Sequence, residues 1–412
     1  VRWAAYRGWL ELRRARTAIG LLVVLAVLSI IGTLLPQLPQ NPRGVFGYVL
    51  THPTTGPLFA RLGLYDVFSS WFFLVTALLM YISLTAFLWV RVPAAWRRWR
   101  QGIRTAGLWA DLSSIAFHAS FYLLLVGVVY GKAFGFVGAA AIVEGGSFVE
   151  ARANYDNLDE GDFAPAHQGY QLTLDSFRAQ YWSTGKPADF LSRVRIFDGG
   201  RMVESQNIRV NHYLDYRGDK IYQIGYGWAP WVRVRMPDGR LVADAPVMFL
   251  GDQAISNGVI KAPSAGRPGQ QLAATALLIP DPRVSGQAIS AGTAERRNPI
   301  LLLQLWRGDL HLDTGRPQNV YALDTNGMSL VWRGLLRIGD SVTTADGVQI
   351  AFPALRQYSD LKVTHDPGVG IVYGAFILAM ATLFPMLYLP LLGRHRRLGG
   401  RPTADRPCAL TL

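Results

Sequence analysis

One apolar stretch limits what this chain can become. From Ser113 to Tyr130 it reads SSIAFHASFYLLLVGVVY, with Asp111 and Lys132 on either side and no charged side chain between them. At a rise of about 1.5 Å per residue, a helix of that length crosses most of a bilayer's hydrocarbon core of about 30 Å. The stretch carries His118 near its start. An ionisable residue placed there is costly and calls for a partner or a cavity. Two readings stand side by side. In one, the imidazole bonds a neighbouring helix through Ser114 or another polar group. In the other, it serves as a metal ligand or proton relay.

Three further apolar runs, Thr17–Leu35, Trp71–Val90 and Gly370–Leu392, extend the argument. The net charge of +13 is concentrated in arginine clusters that abut these runs: Arg2 to Arg16, Arg91 to Arg104, and Arg394 to Arg406. That is the positive-inside pattern, so the charge reports topology and nucleic acid drops out as a partner. Residues 1–16, with Trp3, Tyr6 and Trp9, suit a membrane interface. Pro36-Gln37-Leu38-Pro39 follows the first run where a small-residue cleavage site would stand, which predicts a retained helix, not a signal peptide. Gly20 and Gly32 offer close approach to another helix. Residues 36–70 read as an outer loop with a short interfacial helix around Leu58 to Phe68. Residues 91–111 read as a cytoplasmic loop lying on the surface, with Trp96 and Trp99 as its belt. Pro385 and Pro390 predict a kink or an end in the fourth helix.

Between about residues 149 and 366 the period changes. Alternating segments such as Tyr170–Phe177, Ser192–Phe197, Trp231–Met236 and Ser329–Ile338 are separated by turn signals, among them Asp198-Gly199-Gly200 and Pro237-Asp238-Gly239. This is the pattern of antiparallel sheet with hairpins, in a sandwich or a barrel. Residues 262–298, rich in Ala, Gly, Pro and Ser, read as a loop or insertion. Gly225-Tyr226-Gly227 reads as a bulge or strand kink. The aromatics Tyr222, Tyr226, Trp228 and Trp231 read as core. Arg193, Arg195, Arg209, Arg233 and Arg235 alternate along strands and read as a solvated face. The fold class is an integral membrane protein: three N-terminal and one C-terminal transmembrane α-helices around a large β-rich extracytoplasmic domain. The spans are 17–35, 71–90, 112–131 and 370–392, with the domain at 132–369 and both termini cytoplasmic.

Chemistry-bearing motifs are sparse. Cys408, in the basic tail, is the sole cysteine, so there is no disulfide framework and no CxxC pair. No G-x-S-x-G elbow, phosphate-binding glycine loop or H-E-x-x-H is present. His365, next to Asp366 and just before the fourth run, is a second candidate. Its competing reading is a helix entry in which Asp366 and Pro367 serve as cap and first turn. His167, His212 and His311 are scattered without ligand spacing and read as structural.

Several stretches together resemble the ResB family of cytochrome c biogenesis proteins. They are Arg16–Ile19 through Ile31–Gln37, Leu62–Phe72, Phe117-His118 with Gly127, Glu144-Gly145, and Asp366-Pro367-Gly368 leading into Tyr373-Gly374. Each is weak alone; their order along the whole chain is specific. The resemblance implies a subunit of a system II cytochrome c synthase in the bacterial plasma membrane, working with a ResC-type membrane protein. Together the two would carry haem b across the membrane and present it to the CxxCH motif of apocytochrome c. The family's transmembrane histidine, a proposed axial haem ligand, matches His118, with haem iron as its metal; His365 is the secondary cofactor-binding candidate. The chain would be a non-catalytic or co-catalytic subunit of a haem lyase, with no nucleophile of its own. Some chloroplast relatives carry an outer-face cysteine that this chain lacks. Residues 160–350 match no motif of the family. The competing class is a non-haem membrane-anchored scaffold whose β-domain binds an extracytoplasmic partner.

Overall fold

The computed structural model describes residues 9–398 of the chain, apart from 40–41, 183, 185–186, 253, 268, 287 and 313–321. Trp3, Tyr6, Arg401, Arg406 and Cys408 lie outside the described residues. The chain divides into two compact units, one of residues 1–128 with 369–412 and the other of residues 129–368.

The first unit is helical. Its long helices are α1 (Ala15–Leu34), α4 (Trp71–Arg100), α5 (Ala106–Phe134) and α6 (Val369–Leu398), with the short α2 (Pro42–Thr51) and α3 (Thr55–Arg61) between α1 and α4. Ala15–Leu34, Trp71–Arg100, Ala106–Phe134 and Val369–Pro390 are each long and apolar enough to cross a membrane. Helix α1 stops where Leu35 turns extended, the conformation that the following Pro36 imposes. Helix α4 starts at Ser70, whose hydroxyl accepts from the Phe73 amide at 3.3 Å.

The segments expected at 91–111 and 58–68 differ from observation. Helix α4 continues through Pro93 to Arg100, where three arginines in its last turn complement the dipole. Only residues 101–105 separate it from α5, so most of the expected loop is helix. The outer loop holds two short helices; α3 overlaps the first residues of the expected Leu58–Phe68 helix and ends at Arg61, and α2 lies earlier. Gln37 organises this loop: its Nε2 donates to the Leu35 and Leu64 carbonyls at 3.0 and 3.2 Å, and its Oε1 accepts from the Val67 amide at 3.0 Å. Helix α6 runs through both Pro385 and Pro390, where a kink or an end was expected.

Small residues set the helix contacts. A Cβ on Gly32 would meet the Phe68 ring at 2.8 Å, whereas Gly20 has nothing within 4 Å. Gly127 of α5 lies against the Val372 backbone of α6, so a Cβ there would fall 3.0 Å from its nitrogen. Between α4 and α5, Tyr81 donates to the Phe121 carbonyl at 3.2 Å, and Tyr122 donates to the Tyr81 carbonyl at 3.1 Å.

The second unit is β-rich. Its first nine strands are β1 (Phe136–Val143), β2 (Ser147–Val149), β3 (Asn157–Glu160), β4 (Gln171–Tyr181), β5 (Pro187–Asp198), β6 (Arg201–Arg209), β7 (Leu214–Tyr216), β8 (Asp219–Arg235) and β9 (Leu241–Pro246). The remainder are β10 (Leu250–Asp252), β11 (Ile255–Ala262), β12 (Gln271–Ile279), β13 (Pro282–Ser285), β14 (Ala288–Ala291), β15 (Ile300–Gly308), β16 (Ser329–Arg337), β17 (Ser341–Thr343) and β18 (Gln349–His365). One sheet has the order β3-β1-β18-β8-β7, with β17 and β9 extending β18 and β8; a second runs β10-β11-β12-β15-β16, a third β2-β4-β5-β6. The glycine-rich stretch after α5 is therefore the central-sheet strand β1. The expected loop at 262–298 contains β12, whose alanines and leucines are almost wholly buried at the centre of the second sheet. Small side chains there mark tight packing, not a flexible insertion.

Strands β8 and β18, each of 17 residues, pair along nearly their whole length. The register slips at Ile224, which has no partner between Gly225↔Asp360 and Gln223↔Leu361, so the bulge lies one residue before the expected Gly225-Tyr226-Gly227, whose three residues pair in register. Two cores result. One gathers Trp228, Val234, Leu278, Leu303 and Phe352. The other gathers Phe136, Leu172, Ile196, Ile221 and Leu361. Arg195, Arg209 and Arg233 bond Asp175, Asp189 and Asp244 at 2.6, 3.0 and 3.0 Å, consistent with a solvated strand face.

Candidate functional site

His118 lies in α5, where the local sequence fixes its ring. Its Nδ1 is 2.7 Å from the Ser114 carbonyl, one turn back. A carbonyl oxygen only accepts, so Nδ1 carries the proton and donates. In the neutral form of such a ring the lone pair is on Nε2, the atom through which histidine ligates a metal. Of the two readings of His118, the first is partly observed: a hydrogen bond exists, but it is made within α5 to the backbone and leaves the outer nitrogen available. Phe87 of α4 packs against the ring with centroids 4.6 Å apart, and Phe117 meets it edge-on at 5.4 Å.

His118 lines a cavity of about 460 Å³ among α1, α4 and α5, within the range of small-molecule sites. The walls are mostly apolar, including Ile19, Met80, Leu84, Phe87 and Val90, with Arg13, Arg14 and Arg91 also lining the space. Ser83, buried in α4, donates to the Leu12 carbonyl at 2.6 Å and so anchors the turn that carries Arg13 and Arg14. Arg91 bonds Asp111 at 2.7 Å, and Arg98 bonds the other oxygen of the same carboxylate. Sequence reasoning found His118, took Asp111 only as the boundary of the span, and read the arginines as a topology signal rather than as part of a site. Only folding brings residues 13, 91 and 118 to one space.

His365 behaves differently. It ends β18, and its Nδ1 bonds Asp219 Oδ1 at 2.9 Å rather than the neighbouring Asp366. Asp366 instead accepts from the Gly368 amide at 2.9 Å at the entry to α6, as the helix-entry reading expects. Asp219 is fully buried, and burial raises its pKa against the opposing bond from His365. The Phe136 ring stacks on His365 with centroids 5.9 Å apart, and approaches His167 at 5.0 Å.

His167 is therefore not isolated. It bonds Glu150, which is also fully buried and accepts from Tyr155 at 3.0 Å and from the Gln168 amide at 2.5 Å. Two histidine–carboxylate pairs thus flank Phe136. Burial, with the nearby Glu150 and Asp219 charges, pushes the Tyr155 and Tyr170 hydroxyls far above their ordinary value. The Asp219–His365 pair joins strands 146 residues apart, whereas Glu150 and His167 lie 17 residues apart in the loops on either side of a short helical turn and β3, segments that no local motif marks as paired. Among the described residues, no group of three or more His, Cys, Asp or Glu side chains is placed to hold a metal ion.

The ResB-like family model matches residues 15–106 and 104–399, which covers both units. The chain belongs to the ResB-like family. Its relatives include a cytochrome c biogenesis protein CcsB from Synechococcus sp. (strain JA-2-3B'a(2-13)), 28% identical over 66% of this chain and 51% of the relative. CcsB of Thermosynechococcus vestitus is 26% identical over 73% of this chain and 58% of the relative. The cytochrome c biogenesis protein Ccs1 of Pyropia yezoensis is 20% identical over 71% and 58%. The chain spans between half and three fifths of the length of these curated relatives. Within the ResB-like region, α1 to α6 and the β-unit fall in the order that the sequence motifs predict.

Proposed function

We propose that this chain is a membrane subunit of a cytochrome c maturation system and that its cavity receives haem b as cargo, ligated through His118. The observation that carries the reading is the His118 ring itself: Nδ1 committed to the Ser114 carbonyl and the ring lining an apolar cavity of about 460 Å³. The ResB-like membership and the relatives named for cytochrome c biogenesis supply the biological setting. Imidazole is a common axial ligand of haem iron. An apolar wall suits the porphyrin faces, with Phe87 beside the ligating ring.

In this reading the arginine-rich ends of the helices are cytoplasmic and the β-unit lies on the outer face of a bacterial plasma membrane. A ResC-type membrane partner would share the haem and take it outward, and the β-unit would hold apocytochrome c near the exit. His118 does the ligating. His365, bonded to Asp219, secures the strand end that leads into α6.

An absorption spectrum of the detergent-purified chain, co-expressed with a ResC-type partner, tests the proposal against the His118→Ala variant. Wild type is expected to carry a Soret band that weakens or shifts in the variant and recovers with added imidazole. A spectrum unchanged by the substitution would remove His118 as the ligand. A well-folded complex without haem would favour a scaffold that binds an extracytoplasmic partner.

A further inference from the structure

We infer that Arg13 is the anion-recognising residue of the His118 cavity and that it holds a carboxylate of the cargo, which fixes the orientation of the porphyrin. The inference rests on the haem reading above and adds to it a second contact of opposite chemistry.

The argument is one of charge. Three arginines line a largely apolar space. Arg14 is taken by Glu11 at 2.6 Å, and Arg91 by Asp111 at 2.7 Å. Arg13 has no carboxylate partner among the described residues. Arg13 lines the cavity as an exposed residue, so its guanidinium is open to an anionic group on a ligand seated in the apolar space. A ligand with a carboxylate satisfies it, and the planar fork of arginine matches that group in a bidentate bond. The position is built, since Ser83 clamps the Leu12 carbonyl immediately before Arg13.

Arg13 and His118 line the same cavity, so a ligand coordinated at His118 occupies the space that Arg13 borders. The same guanidinium could instead meet a lipid phosphate, which the experiment separates.

The test titrates the detergent-purified chain, with its co-expressed partner, against haem and against haem dimethyl ester, followed at the Soret band. Wild type should bind haem about tenfold more tightly than the ester. Arg13→Gln should bring haem down to the affinity of the ester and leave the ester unchanged, while Arg13→Lys should keep part of the preference. Equal wild-type affinity for the two forms, with binding still lost in His118→Ala, would overturn the Arg13 assignment and leave the haem reading standing. That result, with phospholipid instead retained by Arg13, would point to the lipid phosphate. Binding of neither form would overturn both. The wild-type comparison needs no variant, so a poorly folding Arg13→Gln does not stop the test.

Discussion

At the scale of single residues, the polar groups of this chain are set by what burial does to them. His118 escapes most of the cost of its apolar surroundings by bonding the Ser114 carbonyl within its own helix. Asp360 has no such relief among the described residues. It sits on β18 beside the bulge, and burial, with the nearby Asp156 charge, raises its pKa from 3.8 to about 6. A raised acid binds more protons folded than unfolded, so its stabilisation is complete below about 3.8 and is lost as pH rises through about 6. Allowing for partial exposure, the ionised form costs about 2 kcal/mol near neutrality. Asp360→Asn should therefore raise the thermal midpoint by about 5 °C at pH 7.5 and by far less at pH 4. Circular-dichroism melts at the two pH values check this; an equal gain at both would contradict the burial argument.

At the scale of elements, close approach decides which small residues matter. Gly127 lets the α6 backbone come against α5, and any side chain there meets the Val372 nitrogen at 3.0 Å. Gly20 faces open space. Gly127→Leu should sharply reduce the yield of monodisperse protein in detergent, whereas Gly20→Leu should leave it near wild type, as read by size-exclusion profiles. Comparable losses at the two sites would mean that α5 and α6 do not depend on this contact. The same physics explains the strand β12. Its alanine-rich sequence resembles a loop on composition, yet its small side chains are what two flanking strands and the core require.

At the scale of the whole molecule, the β-unit has two cores but one pair of strands common to both. β8 and β18 place Val234 and Phe352 in the first core, and Ile221 and Leu361 in the second. Phe352 is fully buried, so Phe352→Ala should cost about 3–5 kcal/mol. Because the ribbon is continuous, that loss should reach the far core. Amide exchange at Ile221 and at Val234 should accelerate together in the variant. Acceleration confined to Val234 would show that the two cores open separately.

The sequence by itself determined the membrane spans, the β-rich character of the second unit and the position of His118, because these depend on local hydropathy and periodicity. It also showed the family, through short motifs such as Leu34-Leu35-Pro36-Gln37, whose glutamine proves to knit the outer loop together. Tertiary structure decided the rest. Helix α4 extends through Arg91 to Arg100 because Asp111 on the facing helix receives two of its arginines, a contact invisible to any local window. Arg13 joins His118 only through the cavity among α1, α4 and α5. His365 takes Asp219 and not its neighbour Asp366, because antiparallel pairing of β18 with β8 places Asp219 directly across from it. Charge and hydrogen-bond partners are chosen by distance in space, whether the partner lies 13 residues away, as Asp111 does from Arg98, or 146, as Asp219 does from His365.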